Sequence, residues 1–301
     1  MLSVIIPAFN EEEMVGKACS VISGILSEAD IPHELIFVDD GSSDSTWEKL
    51  QALPAKSLHF SRNFGKEAAI YAGLEASSGD CAVVIDCDLQ HPPQKIVEMY
   101  RLWEDGYEVV EAVKSDRGRE SLSHKLAART FYRIISKETG IDMSRASDFK
   151  LLDRKAVLAL LNMKEKQAFF RALSSWIGFK TTQIDFEVQE REAGVSKWST
   201  RALFKYALTN ITSFSAAPMQ FVTGLGVVMF IVMVVFGCIA IYQKIAGIAL
   251  GGFTTVILLL LFIGSIIMMS LGIMGYYVSK IYEEVKARPR YIVSAKKGFE
   301  E

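Results

Sequence analysis

The segment Asp86-Cys87-Asp88-Leu89-Gln90 has the residue types and spacing of a cation site. It ends an apolar run over 81–86 that is typical of a buried strand. Two carboxylates two residues apart, with an amide nearby, offer the oxygen ligands that a hard cation such as Mg²⁺ or Mn²⁺ prefers. Such an ion joins a carboxylate to the phosphates of a nucleotide. We therefore predict Asp86, Asp88 and Gln90 as metal ligands. The alternative interpretation is a solvated turn or a helix cap.

Polar and aromatic residues also follow two earlier strand-like runs, 2–9 and 33–40. In Val38-Asp39-Asp40-Gly41-Ser42, either aspartate can accept hydrogen bonds from ribose hydroxyls or a base, whereas Ser42 and Asp44 are explained by capping alone. In Pro7-Ala8-Phe9-Asn10-Glu11, the aromatic ring can stack on a base. Asn10 and Glu11 can contact the nucleoside or cap the next helix. The predicted nucleotide contacts in these two segments are Pro7, Phe9, Glu11 and Asp39.

Two cationic segments are suited to phosphate groups. Arg62-Asn63-Phe64-Gly65-Lys66 precedes a predicted helix, so it offers cations and backbone N–H groups to an anion. Arg191-Glu192-Ala193-Gly194-Val195-Ser196-Lys197-Trp198 lies just before the long apolar segments, where Arg191 and Lys197 can clamp a diphosphate or a lipid phosphate. The alternative for Lys197 is ordinary positive charge beside a membrane. Lys66, Arg191 and Lys197 are therefore predicted contacts of the nucleotide donor.

The elements that must position these residues alternate along the first 115 residues or so. Strand-like runs over 2–9, 33–40, 58–61, 81–86 and 107–113 are separated by helix-like runs over 11–28, 42–53, 66–77 and 92–104. This pattern predicts an α/β domain with a mainly parallel sheet covered on both faces. Further strands are predicted over 149–152 and 182–188, a helix over 122–139, and a mobile basic loop over 117–119. Ligands of such sheets bind beyond the carboxyl ends of the strands, where the polar residues above are found.

Two uncharged stretches, 206–243 and 245–279, follow this domain. Crossing a hydrocarbon core takes about 20 apolar residues, so two spans fit, over 219–242 and 253–278. We expect a domain over 1–197, an amphipathic interfacial helix over 198–216, a two-helix transmembrane hairpin over 217–279 and a tail over 280–301. Basic residues flank the hairpin and only Lys244 lies between its helices, which places the domain and both termini in the cytoplasm, at the inner membrane.

Composition narrows the class of protein further. The net charge of −2 offers no global basic character for nucleic acid, and the 50% hydrophobic fraction argues against disorder. Four cysteines lack the paired spacing of zinc sites and suit a reducing compartment. The first residues lead into a strand-like run, so no signal peptide is expected.

Four segments together resemble the family 2 glycosyltransferases of the GT-A fold. They are Val4–Glu11, Val38–Asp44, Asp86-Cys87-Asp88-Leu89-Gln90-His91-Pro92-Pro93 and Arg191–Trp198. The polyprenyl-phosphate glycosyltransferases are the most similar group, bactoprenol glucosyltransferase and dolichyl-phosphate mannose synthase among them. The runs Ser61–Glu67 and Tyr282–Pro289 are similar to the bactoprenol enzymes, and the resemblance covers nearly the whole chain.

The resemblance implies transfer of a hexose from a nucleotide-diphosphate sugar to undecaprenyl phosphate, with inversion at the anomeric carbon. Asp148 matches the position of the proposed base of the family, with a sugar-hydroxyl ligand or a capping aspartate as alternatives. Asp88, with Gln90 and Asp86, would hold Mg²⁺ or Mn²⁺ on the leaving diphosphate. Lys114, Arg117 and Arg119 would meet the acceptor phosphate. A homo-oligomer, a downstream flippase and an outward-facing glycosyltransferase are implied partners.

UDP-glucose is the favoured donor, while UDP-N-acetylglucosamine, UDP-galactose and GDP-mannose are alternatives. A processive polysaccharide synthase is disfavoured because the Gln-x-x-Arg-Trp motif and further membrane helices are missing from the sequence. A flippase is disfavoured because the apolar segments offer no polar path. A membrane-anchored nucleotide-binding protein without catalysis is the alternative from another class.

Overall fold

Strands and helices alternate along residues 1–114 as the sequence predicts, and the computed structural model describes residues 1–114, 147–163, 169–187, 217–247 and 252–299. The strands are β1 Leu2–Ala8, β2 His33–Asp39, β3 Lys56–Phe60, β4 Cys81–Val84, β5 Val109–Lys114, β6 Lys150–Asp153, β7 Thr181–Phe186 and β8 Val293–Lys297. The helices are α1 Val15–Glu28, α2 Thr46–Ala52, α3 Lys66–Ala76, α4 Lys95–Glu104, α5 Arg154–Asn162, α6 Phe170–Trp176, α7 Ala217–Ile245 and α8 Phe253–Val285.

The eight described strands form one mixed sheet in the order β7-β5-β6-β4-β1-β2-β3-β8. The pairings β1–β2, β1–β4, β2–β3 and β5–β7 are parallel, whereas β6 and β8 run antiparallel to their neighbours. The mainly parallel α/β class predicted from the sequence is therefore confirmed. Because β6 is antiparallel to β4 and Val84 pairs with Lys150, the residues just before β6 lie at the carboxyl end of β4.

Both faces of the sheet are covered. The α1 residues Val15, Ala18, Cys19, Ile22 and Leu26 recur at helical spacing and join a buried cluster with alternate residues of β1. On the opposite face, α3 lies so close to β1 that a Cβ on Gly73 would stand 2.2 Å from Ile5 Cγ2. Glycine at position 73 is thus required for α3, and hence for the residues at its N-terminus, to reach this depth.

Several predicted boundaries shift by a few residues. Helix α2 begins at Thr46 and not at residue 42, because Asp44 Oδ1 accepts from the Thr46 N–H at 3.0 Å and holds the preceding residues in a turn. Helix α4 begins at Lys95 and not at residue 92. The sequence reading did not anticipate α5, α6 or β8.

The last described residues belong to the sheet, whereas the sequence predicts a tail over 280–301. Helix α8 continues to Val285, and β8 pairs antiparallel with β3, with Ser57 opposite Lys297. The Ser61 N–H donates to Ile292 O at 3.0 Å, and the rings of Tyr291 and Phe60 stack with centroids 5.0 Å apart. Strand β8 therefore covers the β3 edge, which would otherwise expose unpaired backbone groups.

The described residues divide into two compact units, one formed by the sheet with its helices and residues 289–299, the other by α7 and α8. Within α7 and α8, the segments Val222–Gln243 and Phe262–Val285 are long and apolar enough to cross a membrane by length and composition. Their side chains are largely exposed, in contrast to a helix of a soluble core. The predicted helices over 122–139 and 198–216 and the loop over 117–119 lie outside the described residues.

Candidate active site

Lys66, at the first position of α3, joins two carboxylates that are distant in sequence. Its Nζ lies 2.6 Å from Asp86 Oδ1 and 2.9 Å from Asp148 Oδ2. Asp86 follows β4 and Asp148 precedes β6, so the antiparallel pairing of these strands brings both to one edge of the sheet. The structure thus brings together three of the residues predicted as functional from separate motifs.

Arg171, in the first turn of α6, adds a second cation to this cluster. Its Nε lies 3.1 Å from Asp148 Oδ1, so each carboxylate oxygen of Asp148 faces one cation. The sequence reading missed Arg171, because a single arginine within an apolar run has no motif that distinguishes it. Only the packing of α6 reveals that it belongs to the site.

Opposing effects set the ionisation of the cluster. Burial alone would raise the pKa of Asp148, but the charges of Arg171 and Lys66 outweigh it and hold that pKa well below its usual range. Partial desolvation would likewise raise the pKa of Asp86, yet Lys66 and then His91 lower it. Desolvation beside the sheet opposes the charge of Lys66, but the nearby charges of Asp148 and Asp86 raise its pKa above the ordinary value. The site therefore holds ionised groups of both signs at neutral pH.

Glu67 is the next residue of α3 and behaves differently from these two aspartates. Burial and then the negative charge of Asp148 raise its pKa to about 7, despite a hydrogen bond from the Phe170 N–H to its Oε2 at 2.9 Å. This bond ties the start of α6 to the start of α3. Glu67 is thus a second residue of the site, after Arg171, to which the sequence assigns no role.

The loop before α3 has a defined shape, because Asp40 holds it. The Phe64 and Gly65 N–H groups donate to Asp40 Oδ1 and Oδ2 at 2.7 and 2.9 Å. Gly41 has a φ of 66°, and a Cβ there would stand 2.4 Å from the Arg62 carbonyl carbon, so only glycine permits this approach. Burial raises the pKa of Asp40 to about 6, against these two hydrogen bonds. Asp40 thereby positions Lys66.

Asp39, the predicted nucleotide contact, is fully buried and engaged within the protein. Its Oδ1 accepts from the Ser42 N–H and hydroxyl at 3.0 and 2.5 Å, and its Oδ2 lies 2.7 Å from His59 Nδ1. Asn10, with a φ of 54°, joins this turn to the loop after β1: its N–H donates to Ser42 Oγ at 2.8 Å. These bonds give the loops after β1 and β2 a common shape.

Three further predicted residues lie at the end of β1. Pro7 is buried within the strand, opposite Val38. Phe9 is 36% exposed, which leaves part of its ring open to a ligand. The Glu11 N–H donates to Thr46 Oγ1 at 2.9 Å, so its backbone connects the loop after β1 to α2.

The segment after β4 turns its polar side chains away from the core. Ile85, Cys87 and Leu89 are buried, whereas Asp86, Asp88 and Gln90 are partly exposed. Leu89 has a φ of 55°, a conformation that is uncommon outside glycine and asparagine and is concentrated at functional sites. The Gln90 N–H donates to Asp88 Oδ1 at 3.1 Å.

Asp86, Asp88 and Gln90 supply part of the set of oxygen ligands that a divalent cation requires. Among the described residues, no group of three or more His, Cys, Asp or Glu side chains is placed to enclose an ion. Mg²⁺ is commonly held by one or two carboxylates, with waters and substrate phosphates completing its coordination. Two partly exposed carboxylates and an amide fit a cation that arrives with a diphosphate.

His91 packs against the opposite side of Asp86. Its ring stacks on Phe149 with centroids 5.2 Å apart and meets the edge of Phe186 at 5.3 Å, and Nδ1 lies 3.9 Å from Asp86 Oδ2. The two aromatic contacts orient the imidazole, which in turn faces the carboxylate that Lys66 contacts on its other oxygen. His91 was quoted in the motif, but only the structure places it beside Asp86.

Of the five remaining predicted residues, Lys114 alone is among those that the structure describes. Lys114 is the last residue of β5, in register with Phe186 of β7. Arg117, Arg119, Arg191 and Lys197 lie outside the described residues. Their assignment to phosphate groups stays a prediction.

A buried ion pair between Lys150 and Glu111 joins the elements that carry the site. Lys150 Nζ, fully buried, lies 2.5 Å from Glu111 Oε1 and donates to Ser174 Oγ, Ser175 Oγ and the Arg171 carbonyl at 2.9, 2.9 and 3.1 Å. Since Lys150 lies two residues after Asp148 and bonds to α6, this network connects β5, β6 and the helix that carries Arg171.

Comparison with known proteins gives matches along the whole chain. The profile of glycosyl transferase family 2 matches residues 3–161. An uncharacterized glycosyltransferase of Bacillus subtilis (strain 168), YkcC, is 36% identical over 305 residues, which cover 99% of this chain and 94% of that one. The bactoprenol glucosyl transferase of Shigella phage SfX is 32% identical over 98% of this chain and 99% of its own. Among solved structures, glucosyl-3-phosphoglycerate synthase from Mycobacterium tuberculosis, in complex with Mn²⁺ and UDP-glucose, matches with a TM-score of 0.49 and 22% identity over 70% of this chain and 76% of that chain.

Proposed function

The chain belongs to glycosyl transferase family 2 and is a glycosyltransferase, and from this premise we propose that it transfers a hexose, glucose in the first instance, from a nucleotide-diphosphate sugar to undecaprenyl phosphate with inversion at the anomeric carbon. The observation that carries the proposal is the similarity to a bactoprenol glucosyl transferase along nearly the full length of both chains. It includes the apolar helices as well as the sheet unit.

The donor would bind at the carboxyl ends of β1 to β4. Asp88 and Asp86, with Gln90, would hold Mg²⁺ or Mn²⁺, and the bound cation would neutralise charge on the departing diphosphate. The partial exposure of these three side chains supports this assignment. Phe9, at the end of β1, is the candidate for stacking on the base. Arg191 and Lys197 would contact the diphosphate.

The geometry changes the roles that we assign to three other residues predicted to contact the donor. Because both carboxylate oxygens of Asp39 are engaged with Ser42 and His59, we assign Asp39 to shaping the nucleotide-binding turn. Pro7 and Glu11 likewise shape the loop after β1, through the strand and through the backbone bond to Thr46.

The acceptor needs little help from a base. A phosphate monoester has a second pKa near 6, so at neutral pH it is already a nucleophilic anion. A general base works best with a pKa near the operating pH, whereas the pKa of Asp148 is held far below its usual range by Arg171 and Lys66. We therefore assign Asp148 to holding these two cations and a sugar hydroxyl, in preference to proton abstraction. Lys114, Arg117 and Arg119 would bind the acceptor phosphate.

The membrane assignment rests on the apolar helices and the flanking charge. We propose that α7 and α8 form a transmembrane hairpin in the inner membrane, with residues 1–197 and both termini in the cytoplasm and residues 198–216 at the interface. Two spans of sufficient length and the basic residues after α8 support it. A product made at the cytoplasmic face would need a flippase and an outward-facing glycosyltransferase to be used outside, and we propose a homo-oligomer as the functional form.

The test uses purified full-length protein in detergent with undecaprenyl phosphate and Mn²⁺. Radiolabelled UDP-glucose, UDP-N-acetylglucosamine, UDP-galactose and GDP-mannose are supplied in separate tubes, and label is counted in the organic phase. Label from UDP-glucose alone is the expected result. Label from another donor would replace glucose in the proposal. No label from any of the four donors, with nucleotide binding confirmed separately, would refute the proposed transfer and favour another donor, another acceptor lipid or the alternative without catalysis.

Asp88→Ala tests the cation site in the same assay. The variant should lose about 100-fold or more in turnover, because the diphosphate would leave without its counter-charge, while the protein stays folded since the side chain is outside the core. Asp105→Ala, an exposed carboxylate at the end of α4, is the matched control. Turnover of Asp88→Ala close to that of the control would refute the assignment of Asp88.

A further inference from the structure

Lys66 contacts the carboxylate that a divalent cation is proposed to use. Its ammonium lies 2.6 Å from Asp86 Oδ1, at ion-pair distance, and 2.9 Å from Asp148 Oδ2. This contact follows from the backbone, because Asp40 holds Phe64 and Gly65 and so sets where α3 begins. These two backbone hydrogen bonds thus place the ammonium of Lys66 beside Asp86.

A metal ion and this ammonium compete for Asp86. Mg²⁺ bonds oxygen at about 2.0–2.1 Å, so an ion on Oδ1 would stand within about 5 Å of the ammonium and be repelled by it. The side chain of Lys66 is 42% exposed, and its flexible four-carbon stem lets the ammonium leave Asp86 while the backbone stays in place. The two positive groups are thus alternative partners of one carboxylate.

We propose that Lys66 is a tethered cation that occupies Asp86 until the nucleotide-diphosphate sugar and the divalent cation bind, and that it then shifts its contact to the diphosphate. The inference rests on the proposed function, since it takes Asp86 as a cation ligand. A lysine ammonium is a compact charge suited to phosphate oxygens, so it gains a new anionic partner as it loses Asp86. The divalent metal ion therefore binds the protein weakly by itself and tightly in the presence of the nucleotide.

The experiment measures Mn²⁺ binding to the full-length protein in detergent by the electron paramagnetic resonance signal of free Mn²⁺, with no nucleotide present. Lys66→Met should bind Mn²⁺ about tenfold more tightly than the wild type, because a neighbouring positive charge is removed. Lys66→Arg keeps the charge and should change the affinity by less than about twofold. Lys56→Met is the matched control, since Lys56 also forms an ion pair, with Glu34 at 2.7 Å.

A second series adds UDP, which separates this inference from the proposed function. The factor by which UDP raises Mn²⁺ affinity should be smaller in Lys66→Met than in the wild type. Without UDP, the variant binds Mn²⁺ more tightly, because the competing ammonium is gone. With UDP, the variant lacks the contact between Lys66 and the phosphate. Circular dichroism shows whether each variant is folded, and Lys66→Gln replaces Lys66→Met if the latter is not.

Equal or weaker Mn²⁺ binding by the folded neutral variant, with normal binding by the wild type, overturns the role of Lys66 and leaves the proposed cation site intact. Tighter binding that also appears in Lys66→Arg or Lys56→Met overturns it as well, since charge at Asp86 would not be the cause. If neither the wild type nor the neutral variant binds Mn²⁺ with or without UDP, the cation site and the tethered cation both fail.

Discussion

Breaking the buried pair of Lys150 and Glu111 should destabilise the sheet unit strongly. Lys150 is fully buried, the side chain of Glu111 is 6% exposed, and their charged atoms lie 2.5 Å apart. Lys150→Met keeps an unbranched side chain of similar reach but leaves the carboxylate of Glu111 buried without a cation. Removing one partner of such a pair typically costs about 3–5 kcal/mol of the free energy of unfolding.

For a folded unit of this size, the expected loss in the free energy of unfolding corresponds to a measurable shift in Tm. For a domain of roughly 150–250 residues, 1 kcal/mol corresponds to about 2–4 °C in Tm, so Lys150→Met should melt about 6–20 °C below the wild type. The double variant Lys150→Met/Glu111→Gln removes the unpaired charge, while the new amide can still accept from Gln183 Nε2 through its oxygen and donate to Ser175 Oγ through its NH2 group. It should recover about half of the loss or more, because the unpaired buried charge accounts for most of the cost.

The assay is thermal unfolding of the full-length protein in one detergent, followed by circular dichroism. Lys155→Met, an exposed lysine on α5, is the control and should stay within about 0.5 kcal/mol of the wild type. A Tm of Lys150→Met equal to that of the control would refute the reasoning, since the pair would then be neither buried nor needed. A double variant as unstable as the single one would refute the attribution to unpaired charge.

Three other perturbations test the site and the C-terminal strand. Asp148→Asn removes the charge that holds Lys66 and Arg171 but keeps an oxygen that can accept from a sugar hydroxyl, so kcat should fall about 100-fold while the KM for the nucleotide sugar changes by less than about threefold. Equal losses in both would mean that Asp148 acts mainly by binding the donor and would contradict its role in holding the two cations. The native pKa of Glu67, about 7, lies above the ordinary 4.5, so the stability it contributes is present below pH 4.5 and is lost as the pH rises through about 7. Glu67→Gln should therefore raise Tm relative to the wild type increasingly from pH 4.5 to pH 8, and a constant difference in melts across this range would contradict the assignment. Tyr291→Ala removes the stacking on Phe60 and the hydrogen bond to Glu75, and should cost about 2–3 kcal/mol in thermal unfolding; an unchanged Tm would mean that these two contacts before β8 add nothing to the stability of the sheet unit.

The local sequence pattern was sufficient to predict most strands of the sheet and the segment of the site that follows β4. Strands β1 to β5 are apolar runs bounded by polar turns, and α1 shows helical spacing of its buried residues, so the mainly parallel α/β class of a GT-A-like fold followed from periodicity and from the family motifs. The exposed alternation of Asp86, Asp88 and Gln90 also follows from local sequence, because Cys87 and Leu89 are apolar and turn inward.

Contacts between residues far apart in sequence decided the roles of Asp39 and Asp40 and the identity of the last strand. The choice between Asp39 and Asp40 was open in the sequence, and it depends on which backbone groups each one meets: Ser42 within its own turn, or Phe64 and Gly65 in the next loop. The tail could not be recognised as β8, since a short polar strand at an edge has no periodicity strong enough to be read without its partner β3.

The sequence by itself determined the chemistry available: carboxylates after β4, a lysine at the start of α3, an aspartate before β6, and two apolar segments of membrane-spanning length. Only the tertiary structure decided how these charges meet. The antiparallel pairing of β4 with β6 brings Asp86 close to Asp148. The close packing of α3 on the sheet places Lys66 against both carboxylates, and α6 adds Arg171. Electrostatic interactions of this strength act over a few ångströms, so they depend on packing between residues far apart in sequence, which the spacing of residues along the chain does not encode.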